Sequence, residues 1–252
     1  MMKICKEFLT YEITKEVVAF TSRRGSGVTK NAYSPIATFL SLPDEKVIIP
    51  HQTHSDNIQV IDNHFFSLSS ASRKNFLEGV DAEITNMSEV CICVSTADCI
   101  PVLLYDSENK ALAAIHAGWK GTARGIVMKT IKKMQLTYGT SLANLYAVIG
   151  PGISMKNFEV GNEVYDMFQM FHREVNIDNT SCTWFNSQTG KWHINLSESN
   201  RQQLLRCGVL SSNIFLSNIC TYDNTAHYFS ARHDGLAAGR MVSGICRIDM
   251  LR

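Results

Sequence analysis

The sequence predicts an α+β fold rather than a doubly wound parallel one. Short β-rich runs dominate its first half, helical periodicity appears later, and the two mix without strict strand-helix alternation. The early strands are VIIP (47–50), NIQVI (57–61), VCICV (90–94), IPVLLY (100–105) and ALAAI (111–115). The first helix spans 122–138. It opens at Thr122 as a capping residue, places Ala123, Ile126, Val127, Ile131 and Met134 on one face and stops at Gly139. Two more helices cover 164–171 and 196–206, the second ending at Gly208. NLYAVIG, NIFLSN and MVSGICRI read as further strands. With no Pro/Ser-rich or charge-dense linker, residues 1–252 read as a single domain.

Apolar residues make up 45% and charged residues 19%, enough to bury a sizeable core. A net charge of +1 without a Lys/Arg stripe argues against a nucleic-acid partner, which needs a basic field to displace phosphate counterions. No run approaches the roughly 20 apolar residues that span a bilayer, so no membrane partner is expected. The eight cysteines (Cys5, Cys91, Cys93, Cys99, Cys182, Cys207, Cys220, Cys246) are scattered rather than clustered. They are expected to be mostly buried thiols of a reducing, cytoplasmic protein.

The segment most informative about chemistry is VCICVSTADCIPVLLYDSENKALAAIHAGWKGTARGI. Its two apolar runs flank the polar DSENK and form an antiparallel hairpin. A loop centred between Ser107 and Glu108 puts Cys99 directly opposite His116, on one face with Cβ atoms roughly 5 Å apart. A one-residue slip would separate them. Asp98, Cys99, His116 and Lys120 then gather at the hairpin's open end. His54, in PHQTHSDN, is the natural third ligand, with His51 the alternative ring of an HxxH. One thiolate and two imidazoles suit zinc, and three protein ligands leave a fourth position for water or substrate. Spacing alone equally allows a buried thiol and two ordinary polar histidines.

Other segments offer binding groups. The turn after His116 leads through Gly118 and Gly121 into a helix, with Lys120 and Arg124 beside it as anion candidates or as solvated side chains. TSRRGSGV carries Arg23 and Arg24, but its glycines match neither a P-loop nor a dinucleotide fingerprint. Glu159, in IGPGISMKNFEVG, is a candidate general acid or base, or a surface residue. Cys220, Tyr222, Arg232, His233, Asp234 and Arg240 either line a pocket or form a polar loop. The candidates for holding substrate or phosphate are Arg23, Gln52, Asp98, Lys120, Arg124 and Arg232.

The motifs TSRRG, QTHSD, DAEIT, TADCIPVLL, IHAGWKG, IGPGIS with FEVG, NRQQLLRCG, CTY and SARHDGLAAGRM, in this order, resemble the laccase-domain, or multicopper polyphenol oxidase, family. That family is associated with purine nucleoside phosphorylase and adenosine deaminase activities. The resemblance implies His54, Cys99 and His116 as zinc ligands and Arg23 beside the substrate. It also implies a four-layer α-β-β-α sandwich with mixed sheets, similar to cytotoxic necrotizing factor. Ser55 departs from the glycine usual after the ligand histidine, and His233 stands where a second arginine is common.

Three enzyme readings follow. A multicopper laccase needs four coppers and about ten histidines, typically in HxH pairs, whereas this chain has eight histidines and no HxH pair; a single copper at the Cys/His site would give weak phenol oxidation. A zinc nucleoside enzyme fits the site better. It would act by phosphorolysis of adenosine, inosine, guanosine and methylthioadenosine, or by deamination of adenosine. In that reading Glu159 shuttles protons, and Arg23, Lys120 and Arg124 supply charge to phosphate. The third reading is a metal-free cysteine hydrolase in which His116 activates Cys99 and Asp98 or another polar group orients the imidazole. A non-catalytic nucleotide-binding module is the fourth possibility.

Overall fold

A computed structural model of the chain describes residues 2–4, 7–29, 33–235 and 237–248. Cys5 lies outside them. The chain opens with β1 (Met2–Ile4), β2 (Phe8–Tyr11), β3 (Val17–Ser22), α1 (Ser34–Leu40) and β4 (Val47–Ile48). It continues through β5 (Ile58–Val60), α2 (Asn63–Ser67), α3 (Ser70–Phe76), β6 (Ala82–Thr85) and β7 (Cys91–Thr96). The central hairpin is β8 (Ile100–Asp106) and β9 (Ala111–Ala117), followed by α4 (Trp119–Ala123), α5 (Ile126–Tyr138) and β10 (Leu145–Ile149). Then come β11 (Glu159–Val160), α6 (Asn162–Glu174), β12 (Thr183–Asn186), β13 (Lys191–Ile194), α7 (Leu196–Cys207), β14 (Ile214–Leu216), α8 (Ala231–Asp234) and β15 (Met241–Arg247).

Two six-stranded mixed sheets dominate, ordered β1-β2-β3-β15-β7-β4 and β14-β10-β8-β9-β6-β5, with a small β11-β13-β12 sheet beside them. The fold is therefore mixed α+β, with parallel pairs at β4/β7, β5/β6 and β10/β14 among antiparallel neighbours. Alternation along the strands sorts side chains into separate cores. Ile92 and Val94 of β7 pack with Leu103 and Tyr105 of β8 and with Leu112 and Ala114 of β9, joining the two large sheets. The opposite face of the second sheet, with Val102, Leu104, Ala113 and Ile115, buries Ile126, Val127 and Ile131 of α5, Phe168 of α6 and Leu204 of α7. Cys91 and Cys93, on the other face of β7, pack under Ile36, Ala37 and Leu40 of α1. Among the described residues no helix is long and apolar enough to cross a membrane. Cys91, Cys93, Cys99, Cys182, Cys207 and Cys220 are thiols.

Two expectations are corrected. The helix expected from Thr122 is broken: α5 starts at Ile126, after Gly125 turns left-handed (φ 72°), a conformation that glycine adopts without a Cβ penalty. Thr122 instead lies buried inside the short α4. The hairpin register is also two residues away from the one expected. Asp106 pairs with Ala111 and Pro101 with His116, because the Asp106 carboxylate accepts from the main-chain N–H of Glu108 (3.0 Å) and Asn109 (3.2 Å) and so centres the loop between those two residues. Cys99 is thus diagonal to His116 rather than opposite it. A shift of two preserves side-chain parity, so both still face the same side.

Candidate metal centre

The chain passes between the two large sheets twice near the site. Residues 49–57 link β4 to β5, and Ala97, Asp98 and Cys99 link β7 to β8. His54 lies on the first link, Cys99 on the second, and His116 near the end of β9. The second link is tightly turned. Asp98 adopts φ 82°, and its carboxylate accepts from Thr221 Oγ1 (2.6 Å) and the Arg232 main-chain N–H (2.7 Å). Gly152 permits this approach: a Cβ there would meet Ile100 Cδ1 at 2.2 Å and the Asp98 carbonyl at 3.0 Å.

The nitrogen and sulfur donors of His54, Cys99 and His116 all lie within 4.8 Å of one another. Cys99 Sγ is 3.8 Å from His54 Nε2. Tetrahedral zinc, with Zn–S about 2.3 Å and Zn–N about 2.0 Å, sets such atoms about 3.6 Å apart. One soft thiolate and two imidazoles therefore fit a metal ion with an open position. His51 is not part of this group; its Nδ1 is 2.6 Å from Glu78 Oε1.

Asp81, at the head of β6 and fully buried, organises the centre. Its Oδ1 accepts from His116 Nδ1 (2.6 Å) and the His54 main-chain N–H (3.1 Å). Its Oδ2 accepts from the N–H groups of Thr53 (3.2 Å) and Ser55 (2.7 Å) and from Ser55 Oγ (2.7 Å). This bracing accompanies the left-handed conformation of His54 (φ 61°). With its Nδ1 engaged, His116 has Nε2 left for a metal, the usual carboxylate–histidine arrangement. Sequence reasoning missed Asp81; its only signal was an acid at the start of the apolar DAEIT run. Ser55, the departure noted above, adds a hydroxyl donor to the same carboxylate. The residue facing the imidazole is Asp81 and not Asp98.

In the metal-free protein these groups polarise each other. Burial pushes the Cys99 thiol up, but the adjoining His116 imidazolium more than reverses this, and its pKa falls to about 6. Burial pulls His116 down, while the Cys99 thiolate and the Asp81 hydrogen bond lift it to about 9. The thiolate–imidazolium pair thus holds between roughly pH 6 and 9. After chelator treatment, Cys99 is expected to alkylate with iodoacetamide at a rate nearly flat from pH 8 down to about pH 6, whereas an ordinary thiol slows about tenfold per pH unit below its pKa near 8.5. Mass-spectrometric labelling rates, with Cys99→Ala as control, check this; an ordinary slope would contradict the pairing.

Gly118 lies against the centre. A Cβ there would stand 2.9 Å from His54 Cδ2 and 3.0 Å from Cys99 Sγ. Gly118→Ala is expected to cost about 1 to 3 kcal/mol of strain at the ligands, weakening metal affinity by roughly tenfold or more while circular dichroism stays unchanged. Competition with a chromogenic chelator measures it.

The three donors open onto a cavity of about 1310 Å³. Gln52, Asp98 and Arg232 also line it. Gln52 is clamped to the Ser95 main chain, with Nε2 to O at 2.9 Å and Oε1 from N at 2.7 Å. Arg232 sits over the Phe158 ring (5.3 Å) and donates to the Glu159 carbonyl (3.1 Å). Among the described residues, the wall does not include Arg23, Lys120, Arg124 or Glu159. Arg23 reaches the Tyr228 hydroxyl, Lys120 lies over its neighbour Trp119 (5.5 Å), and Arg124 is 4.0 Å from Asp56. The Glu159 carboxylate takes a hydrogen bond from Lys191 (3.0 Å), which holds it below the usual range. Among the described residues, the Lys and Arg side chains on the wall are instead Lys74, Arg232 and Arg240. His233 pairs with Asp234 (2.8 Å) outside the cavity.

Residues 20–248 match the family model described as multi-copper polyphenol oxidoreductase laccase. A Bacteroides thetaiotaomicron protein named purine nucleoside phosphorylase is 46% identical over 80% of this chain and 73% of its own length. A protein from an unknown prokaryotic organism, named adenosine deaminase RL5, is 35% identical over 92% of this chain and 94% of its own. The crystal structure of YlmD from Geobacillus stearothermophilus superposes with a TM-score of 0.85 at 25% identity, covering 98% of both chains.

Proposed function

Since this chain belongs to the multi-copper polyphenol oxidoreductase laccase family, we propose that it is a zinc-dependent purine nucleoside phosphorylase that also deaminates adenosine. Adenosine, inosine, guanosine and methylthioadenosine are the proposed substrates. The observation that carries this reading is a single thiolate-and-two-imidazole centre opening into a cavity large enough for a nucleoside and phosphate together. A laccase copper cluster calls for about ten histidines, typically in HxH pairs, against eight here and no such pair, although copper at this one site would support weak phenol oxidation.

His54, Cys99 and His116 would hold zinc, which when bound supplies Lewis acidity and an activated water. The protein's own groups do the rest. Asp81 fixes the imidazole tautomer of His116 and the loop that carries His54. Asp98 holds the Arg232 main chain, and the Arg232 guanidinium, on the cavity wall, offers charge to phosphate. Gln52 fixes the rim by clamping Ser95. The proposed partners are thus purine nucleosides and phosphate, with no nucleic acid or membrane, in the cytoplasm. The layers read as a four-layer α-β-β-α sandwich, for which the cores between and outside the two large sheets speak; a similarity to cytotoxic necrotizing factor is part of the same proposal. Incubating zinc-replete protein with inosine and phosphate should yield hypoxanthine and ribose 1-phosphate by chromatography; the absence of both products would sink the reading.

One observation favours a second reading. The Asp81–His116–Cys99 chain, with its low-pKa thiol, has the arrangement of a cysteine nucleophile with its base and orienting acid. Activity that persists in metal-free protein and is lost on alkylation would favour it.

A further inference from the structure

Phosphorolysis asks for a group the metal centre does not provide: a proton donor for the departing base. The cavity wall carries three histidines, of which His54 and His116 are committed to the metal. We propose that the third, His51, positioned by Glu78, delivers that proton to the purine; the inference rests on the phosphorylase reading above.

Two kinds of restraint fix His51. Its main-chain N–H donates to the Leu77 carbonyl (3.0 Å), its carbonyl accepts from the Gly79 N–H (2.9 Å), and the two segments form a parallel bridge at His51 and Glu78. The side chains repeat the connection, with His51 Nδ1 donating to Glu78 Oε1 at 2.6 Å. A carboxylate on Nδ1 sets the ring's orientation and leaves Nε2–H as the donor of the protonated ring. His51 is also within reach of the metal side. The two histidines, His51 and His54, are three positions apart, and an extended chain covers at most about 3.6 Å per residue, so their Cα atoms are no more than about 11 Å apart. Both line the same cavity.

Among the described residues, the other charged groups on the wall are Lys74, Glu78, Asp98, Arg232 and Arg240. Asp98 is occupied by Thr221 and Arg232, and the cations are placed to offer charge to phosphate. Imidazole is the side chain suited to give up a proton and regain it. In the step, a phosphate oxygen pair forms the bond to C1′ as the C1′–N9 bond breaks. The N9 pair delocalises into the purine, and the Nε2 proton moves to N7, releasing neutral base. His51 regains the proton that hydrogen phosphate loses on becoming the ribose phosphate monoester.

The test compares inosine with 7-methylinosine, whose cationic base departs without protonation. Zinc-replete wild-type protein is expected to phosphorolyse both. His51→Gln should lower kcat on inosine by about 10²- to 10³-fold and change 7-methylinosine by no more than about twofold, with zinc content intact. Glu78→Gln should lower inosine turnover by about tenfold and also spare 7-methylinosine. Equal losses on both substrates, no loss on inosine, or loss of zinc would overturn the proposal and leave the phosphorylase reading standing. If wild-type protein yields no ribose 1-phosphate from either substrate, both fall.

Discussion

Cys99→Ala is expected to release the metal and to reduce phosphorolysis of inosine by about 10³-fold or more. The thiolate is the only anionic donor among the three, and the two imidazoles left behind form a neutral bidentate site. Changing a group that merely orients a ligand typically costs 10- to 100-fold in affinity, so deleting a ligand should exceed that. The packing effect is modest, because Cys99 lies on the cavity wall rather than in a core. Elemental analysis after dialysis should fall from about one metal per chain to near zero. A variant that retained stoichiometric metal would remove Cys99 from the centre.

Asp81→Asn tests the group that sequence reasoning passed over. Its carboxylate takes hydrogen bonds from His116, from three consecutive main-chain N–H groups and from the Ser55 hydroxyl. An amide turns one acceptor into a donor facing donors and removes the charge opposite His116. Breaking such a buried pair typically costs about 3 kcal/mol or more, and metal affinity should drop by about 10- to 100-fold. The pH dependence has a definite sign. Burial raises the Asp81 pKa, but the hydrogen bonds from His116 and Ser55 outweigh it and lower it to about 2. Against an unfolded value near 3.9, the stabilisation is complete above about pH 4 and is lost as pH falls through about 2; it amounts to about 2 to 3 kcal/mol. Denaturant titrations of metal-free protein should show this acid-side loss in the wild type and not in Asp81→Asn.

What the sequence disclosed follows from how local each signal is. The 196–206 helix and its stop at Gly208 rest on periodicity and a left-handed C-cap, both short-range, and α7 ends there. The β8–β9 pairing was legible in its two apolar runs, but its register depended on the Asp106 side chain, which alternation does not report. The face shared by Cys99 and His116 survived only because the error was even. Breakage at Gly125 was hidden because the apolar spacing runs on through it. Lys120 and Arg124 looked like an anion site in one dimension, whereas the fold directs Arg124 toward Asp56. Conversely, Lys74 and Arg240 come to the cavity wall from segments far apart in sequence. Asp81 was invisible for the same reason, since its partners lie 26 to 35 residues away.

The placement of two donors on the crossings between sheets also says something about assembly order. His54 and Cys99 each sit where the chain leaves one sheet for the other, and Asp81 can brace the first only once β6 has taken its place. Neither sheet alone can present all three donors. A metal held by all three would therefore be captured only after both sheets have formed their non-local pairings. Such an ion would tie the docked sheets together, so that shearing one layer past the other would first have to break coordination bonds.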